Sequence, residues 1–259
     1  AEQAKNVSGK QWVTAMLGSI YKRNGDINKA LILFQQSKEE SKARKDDLGT
    51  INSLHQLIDL FLYWDVPEYA NLYTNEALTV EQNMSVQNPM VSAQTYINKG
   101  RVLHQLGLLD SVAYYTERAS ELCRALPYNS GMVDVDLLYG TFWAERGGDS
   151  LQMGIQELQQ VLRQGTVVNR AKAYHQLAQT YLKNEKNDMA EAMLDSMYTL
   201  LNQNDSPVYI HLDYQPILEH YLKSKNLRKT DQYVRMMLQE HQSFKEKKLN
   251  FNLIEAIVD

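Results

Sequence analysis

The stretch Leu17-Gly18-Ser19-Ile20-Tyr21, with Gly25-Asp26, Ala30 and Phe34 after it, is the unit from which the rest of the chain is copied. It reads Leu-Gly-x-x-Tyr, a turn signal four residues on, then a small residue and an aromatic four apart. Two helices meeting face to face need this pattern, because large side chains fill the seam while Gly18 and Ala30 let the backbones approach at the crossing. A shift of 40 residues lands on Leu54, Leu57, Ile58, Phe61, Ala70, Thr74 and Ala77, with Asp65-Val66-Pro67 at the turn, where Pro suits the first turn of a new helix. A further 42 gives Tyr96, Lys99, Gly100 and Leu103, then Gly107 and Asp110, then Val112, Thr116 and Ala119. Lys99 breaks the pattern, since its slot calls for an apolar residue.

Pro127-Tyr128-Asn129-Ser130-Gly131 is the clearest interruption. Tyr139, Gly140 and Trp143 open a fourth unit whose turn, Gly147-Gly148-Asp149-Ser150, carries extra residues and moves the small slot to Gly154. Tyr174, Leu177, Ala178, Tyr181 and Ala190 restore the pattern, and Tyr214, Ile217, Leu218, Tyr221 and Thr230 end it. Pro216 should kink its helix or delay its start. The small slots sit at 30, 70, 112, 154, 190 and 230. The expectation is an all-α chain of six helical hairpins at about 11–45, 48–86, 90–125, 131–165, 167–204 and 207–240, forming one solenoid over 1–259. Asp26 should cap the second helix, Ile27 to about Ala43. The last helix should run on through the charged Lys245-Glu246-Lys247-Lys248, so that 241–259 forms a helical extension with Phe251, Ile254 and Val258 on one stripe. That tail ends on apolar residues, so it either folds back or continues a longer helix, and it offers a route to a homodimer.

Composition agrees. Five prolines and 12 glycines in 259 residues are too few for a many-turned β protein, and 44% apolar with 22% charged residues is a folded chain. A net charge of −4 gives no general attraction to nucleic acid or anionic lipid. No run approaches the roughly 20 apolar residues of a membrane span, and Ala1-Glu2-Gln3-Ala4-Lys5 has no signal-peptide core. The expectation is either a cytosolic protein or a chain from which targeting segments have been trimmed, and the start at Ala1 rather than Met favours the second. Cys123, the one cysteine, excludes an internal disulfide and a thiolate metal cluster, and its place beside Leu122 reads as a small buried hydrophobe.

The repeated unit resembles the tetratricopeptide repeat, a helix-turn-helix module, over roughly residues 11 to 240. Its spacings of 40, 42, 42, 36 and 40 exceed the family's usual ~34, so the chain looks like a divergent member. The resemblance implies a right-handed α–α superhelix whose first helices line a concave groove. Carried onto this sequence, the groove positions are Asn52, His55 and Asp59 in the second hairpin, Gln94, Ile97 and Arg101 with His104 one turn on in the third, and Lys172, His175 and Gln179 in the fifth. Side chains three and four apart share a helix face, so Asn52, His55 and Asp59 can converge, as can Arg101 and His104. Such a polar groove would suit an extended peptide or a partner's tail; the alternative is a solvated helix face. The two-carboxylate clamp of chaperone adaptors needs a Lys and an Asn four apart, and Ala15 with Ser19, or His55 with Asp59, cannot supply it.

No catalytic signature is present: there is no His-Glu-x-x-His, Gly-x-Gly-x-x-Gly, phosphate-loop Gly-Lys-Ser/Thr or Gly-x-Ser-x-Gly. Gly147-Gly148-Asp149-Ser150 reads as a turn, and His211 and His220, nine apart, point to different faces rather than to one metal. The expected function is non-enzymatic recognition of a protein or peptide, without cofactor or metal. Its resemblance is to the sensory, possibly periplasmic, region of bacterial regulators, in which divergent repeats precede a membrane helix and a histidine kinase or DNA-binding output. A free-standing cytosolic adaptor or signalling-peptide receptor is the alternative. An enzyme on a helical solenoid would need clustered carboxylates or histidines, and here the polar residues are spread out.

Overall fold

The computed structural model describes residues 13–22, 24–127, 131–203 and 212–245, with side chains as far as 238. Every regular element among the described residues is helical. In chain order they are α1 (13–22), α2 (Ile27–Ala43), α3 (Asp47–Tyr63), α4 (Pro67–Asn83), α5 (Pro89–Gln105), α6 (Leu109–Ala125), α7 (Met132–Arg146), α8 (Leu151–Gln164), α9 (Val167–Lys183), α10 (Asn187–Asn202), α11 (Gln215–Lys223) and α12 (Leu227–Lys245). The chain divides into two compact units, one holding α1–α6 and the other α7–α11 with α12 as far as Ser243, and the division falls inside the interruption at 127–131.

Helix starts follow from caps written in the sequence. Asp26 and Asp46 accept hydrogen bonds from the backbone N–H of Lys29 (3.3 Å) and Gly49 (2.9 Å), so each satisfies an orphan donor of the first turn. Asn88 does the same for Met90 and Val91, and Thr166 for Asn169. Pro67 and Pro89 stand in the first turns of α4 and α5, where their missing N–H costs nothing.

Five hairpin elbows share one motif. The residue after the last helical turn takes a left-handed conformation: Gly25 (φ 77), Asp65 (φ 54), Gly107 (φ 72), Glu185 (φ 58) and Lys225 (φ 56). The next N–H then reaches back five residues, from Asp26 to Tyr21, Val66 to Phe61, Leu108 to Leu103, Lys186 to Tyr181 and Asn226 to Tyr221, all at 2.9–3.0 Å. This is the Schellman end, which satisfies carbonyls the helix leaves open. The accepting carbonyls belong to the large seam residues of the repeat, so packing and turn geometry are fixed by one residue. Three elbows hold a side chain where L-residues are disfavoured by roughly 1–2 kcal/mol. Glu185→Gly should therefore stabilise the second unit by about 0.5–1 kcal/mol in urea unfolding; a loss of stability would mean the Glu185 side chain outweighs the backbone term.

In the first unit α2 packs on α3, α3 on α4, α4 on α5 and α5 on α6, while α3 also meets α5. The seam is built from Ala30, Phe34, Leu54, Leu57, Ile58, Phe61, Ala70 and Ala77, all fully buried. Phe61 stacks on Tyr69 and on Tyr73, each at 5.5 Å between ring centres. A methyl group on Gly18 would stand 2.7 Å from the Phe34 ring, so the small residue is needed where α1 crosses α2.

In the second unit α7 packs on α8, α8 on α9, α9 on α10, and α9 also meets α7 and α11. At the first crossing a Cβ on Gly140 would lie 2.7 Å from Leu158 Cγ, and one on Gly154 would strike Ala144 and the Gly140 carbonyl oxygen. The turn between these helices takes its extra residues as two left-handed glycines, Gly147 and Gly148, and a single 3-10 turn over Gly148–Ser150. Pro216 delays its helix: α11 begins at Gln215 and has nine residues. Tyr221 and Tyr233 stack at 5.6 Å, and the Tyr233 hydroxyl donates to the Leu194 carbonyl at 2.9 Å. Burial raises both phenol pKa values. The expected extension lies outside the described residues beyond Lys245, as does His211.

Candidate functional site

Positions 52, 55 and 59 of α3 fall one helical turn apart, and α3 lies against α5, so the polar residues of the two helices interlock. Asp59 Oδ1 accepts from Arg101 Nη1 at 2.7 Å, with each side chain about one third exposed. The same guanidinium nitrogen donates to Asn98 Oδ1 at 3.1 Å, and Gln94 donates to that oxygen at 3.2 Å. Gln105 closes the row with a 3.2 Å bond to the Leu62 carbonyl. Asn98 is fully buried and its Nδ2 is without an acceptor. Asn52 is exposed and His104 is half-buried.

His55 differs from the expected groove position. It is 7% exposed and bonded at 2.9 Å to Thr95 Oγ1. The threonine hydroxyl spends its one proton on the Val91 carbonyl, so His55 Nε2 is the donor and the ring is neutral on Nδ1. Burial lowers its pKa from 6.5 to about 4, against a weaker opposing pull from Asp59. The unfolded chain thus takes up the proton first as the pH falls. Stability contributed by neutral His55 is complete above pH 6.5 and drains away between about 6.5 and 4, by up to about 3 kcal/mol. His55→Gln should flatten that part of the stability-against-pH curve; an unchanged slope would place the loss on other groups.

Ile97 is also buried, so it is not an exposed groove position. On α9, His175 is 6% exposed and donates from Nε2 to the Asp213 carbonyl at 2.8 Å, which Gln179 also reaches at 3.3 Å. Lys172 and Gln179 are half-buried. Gln176 and Lys183, on the neighbouring stripe, reach the Glu145 carboxylate and carbonyl of α7. Two sets therefore form, one on α3 and α5 and one on α9, each within its own unit. The sequence reading omitted Asn98, Thr95 and Gln105, although Asn98 sits four residues after Gln94 and three before Arg101. Among the described residues no group of three or more His, Cys, Asp or Glu is placed to hold a metal, and Cys123 is buried.

Among the described residues the arrangement is one of neutral or paired hydrogen-bonding groups carried on helices. A family model of the tetratricopeptide repeat matches residues 171–196, that is, most of α9 and the first half of α10. No curated protein and no solved structure matches the chain. With successive helices packed on one another from α2 to α6 and from α7 to α10, the described residues are all-α and built of tetratricopeptide-like hairpins, an architecture that serves protein–protein interaction and is typically non-enzymatic. No helix among the described residues is long and apolar enough to cross a membrane.

Proposed function

We propose that the chain is a non-enzymatic recognition module that binds an extended peptide or a partner's tail along the polar face of its first helices. The observation that supports this most is the Asp59–Arg101 pair, held between α3 and α5 and open to solvent on one side. Asn52, Asp59 and Arg101, with His104 at the next turn, would contact a ligand in the first unit; Lys172 and Gln179 are a separate candidate set within the second. His55 and His175 lie beneath them and would hold α3 and α9 in place. Peptide backbone suits such a row, because amides and a guanidinium supply alternating donors and acceptors.

Panning a random peptide library on the protein and measuring the selected peptides by calorimetry tests this. Arg101→Ala should cut affinity at least ten-fold with the circular dichroism spectrum unchanged. Selected peptides that bind Arg101→Ala, Asn52→Ala and Lys172→Ala equally well would move the site to another face.

The module is the sensory part of a bacterial signal-transduction regulator in our reading, on the periplasmic side of an anchored protein. The free-standing cytosolic adaptor is the second reading. Sequencing the gene beyond the codon for Asp259 and before that for Ala1 separates them: an apolar run of about 20 residues after the repeats supports the sensor, and a stop codon supports the adaptor.

A further inference from the structure

Lys99 occupies the seam slot that the repeat reserves for an apolar side chain, on the side of α5 opposite Arg101. It is 8% exposed. Its Nζ donates to Asn71 Oδ1 at 2.8 Å and to Asn75 Oδ1 at 2.7 Å, two residues one turn apart on α4. From α6 the Tyr115 ring approaches to 6.0 Å, at the outer limit of a cation–π contact. No carboxylate among the described residues forms an ion pair with it. Lys38 is equally buried, but it has Glu39 and Glu76 at 3.2 and 3.5 Å. A buried ammonium ordinarily has a counter-ion or gives up its proton, and two amide dipoles are a partial substitute. Burial does lower the Lys99 pKa.

The surroundings show where a counter-ion would sit. Asn75 is exposed and Asn71 half-buried, so the amine lies just below the surface of α4. With both carbonyl oxygens turned to Nζ, the amide N–H groups of Asn71 and Asn75 are left to donate elsewhere, and Nζ retains a third proton. Tyr96, on the same stripe of α5, lies near Arg118 of α6 and Glu81 of α4. Glu81 is 5% exposed, with one oxygen unpartnered. That acid would repel an anion at the Tyr96 end and leave the Asn71–Asn75 end as the seat.

We infer that Lys99, with Asn71 and Asn75, forms a second binding site, on the α4–α6 side of the first unit, that takes a carboxylate from an acidic segment of a partner protein. The carboxylate supplies the missing charge, accepts the third Nζ proton and meets the two asparagine amides, which together give a charge-assisted, oriented contact. The exposed Tyr114, edge-on to Tyr115 at 5.1 Å, gives the rest of that segment an apolar rim to lie on.

The test uses protein labelled with nitrogen-15 and lysine labelled with carbon-13, titrated with sodium acetate, with a hexaglutamate peptide, and with sodium chloride at matched ionic strength. Saturable shifts at Lys99 Cε and at the Asn71 and Asn75 side-chain amides are expected with acetate and with the peptide. The peptide should bind at least ten-fold more tightly. Lys99→Met, an apolar replacement suited to the slot, should stay folded and lose the response. Shifts equal to those in chloride, or a response that survives in Lys99→Met, would overturn the site and leave Lys99 a strut between α4 and α5. Acetate binding as tight as the peptide would overturn the partner segment in favour of a free small carboxylate.

Discussion

Phe61→Ala should destabilise the first unit by about 3–5 kcal/mol, the range for emptying a fully buried aromatic site. Its ring is 0% exposed and lies against both Tyr69 and Tyr73. Its neighbours are held in place by a helix elbow, which limits how far the cavity can collapse, so the upper half of the range is expected. The carbonyl of Phe61 still accepts from Val66 in the variant, which separates packing from turn geometry. Trp64, three residues on, reports the transition by its fluorescence in urea. Phe61→Leu should recover more than half of the loss; equal losses for the two variants would mean that aromatic stacking, and not filled volume, holds the seam.

Gly154→Ala should cost the second unit about 3 kcal/mol, at the top of the range for overpacking. The added methyl would meet backbone atoms, the Ala144 Cα and the Gly140 carbonyl oxygen both at 2.9 Å, and backbone cannot rotate aside as a side-chain tip can. The α7–α8 pair must then separate, which also loosens Leu158 from Gly140. Trp143 is the tryptophan of this unit and reads its unfolding directly. A loss below about 1 kcal/mol would show that the crossing slides at little cost.

The local features were legible from sequence because they are local. Asp26 as a cap, Pro67 in a first helical turn, the late start imposed by Pro216 and the small residues at 30, 70 and 154 depend on neighbours a few residues away. The candidate site was legible only in part. Helical periodicity puts His55 on the same stripe as Asn52 and Asp59, but it gives direction around the helix and not depth. Depth is set by α5, which brings Thr95 over His55 from 40 residues along the chain. His175 is covered likewise by Asp213. The mismatch at Lys99 was visible, whereas Asn71 and Asn75, which answer it, lie 28 and 24 residues away on another helix. The partners of a helix face are a tertiary property, and a single sequence encodes them only through the sum of its packing.

The elbows also govern how such a chain can change length. The joints at 64–66, 106–108, 184–186 and 224–226 each span three residues and close the same backward hydrogen bond, so one inserted residue would break it. Of the connections from one hairpin to the next, 44–46 closes the same bond, from Asp46 to Ser41 at 3.0 Å with Lys45 at φ 58, whereas those at 84–88, 126–131, 165–166 and 203–214 share no common length. Growth by insertion is therefore channelled to the connections that lack this bond, and a grafted epitope or fluorescent module belongs after Asn83, never after Ala43 or Tyr63.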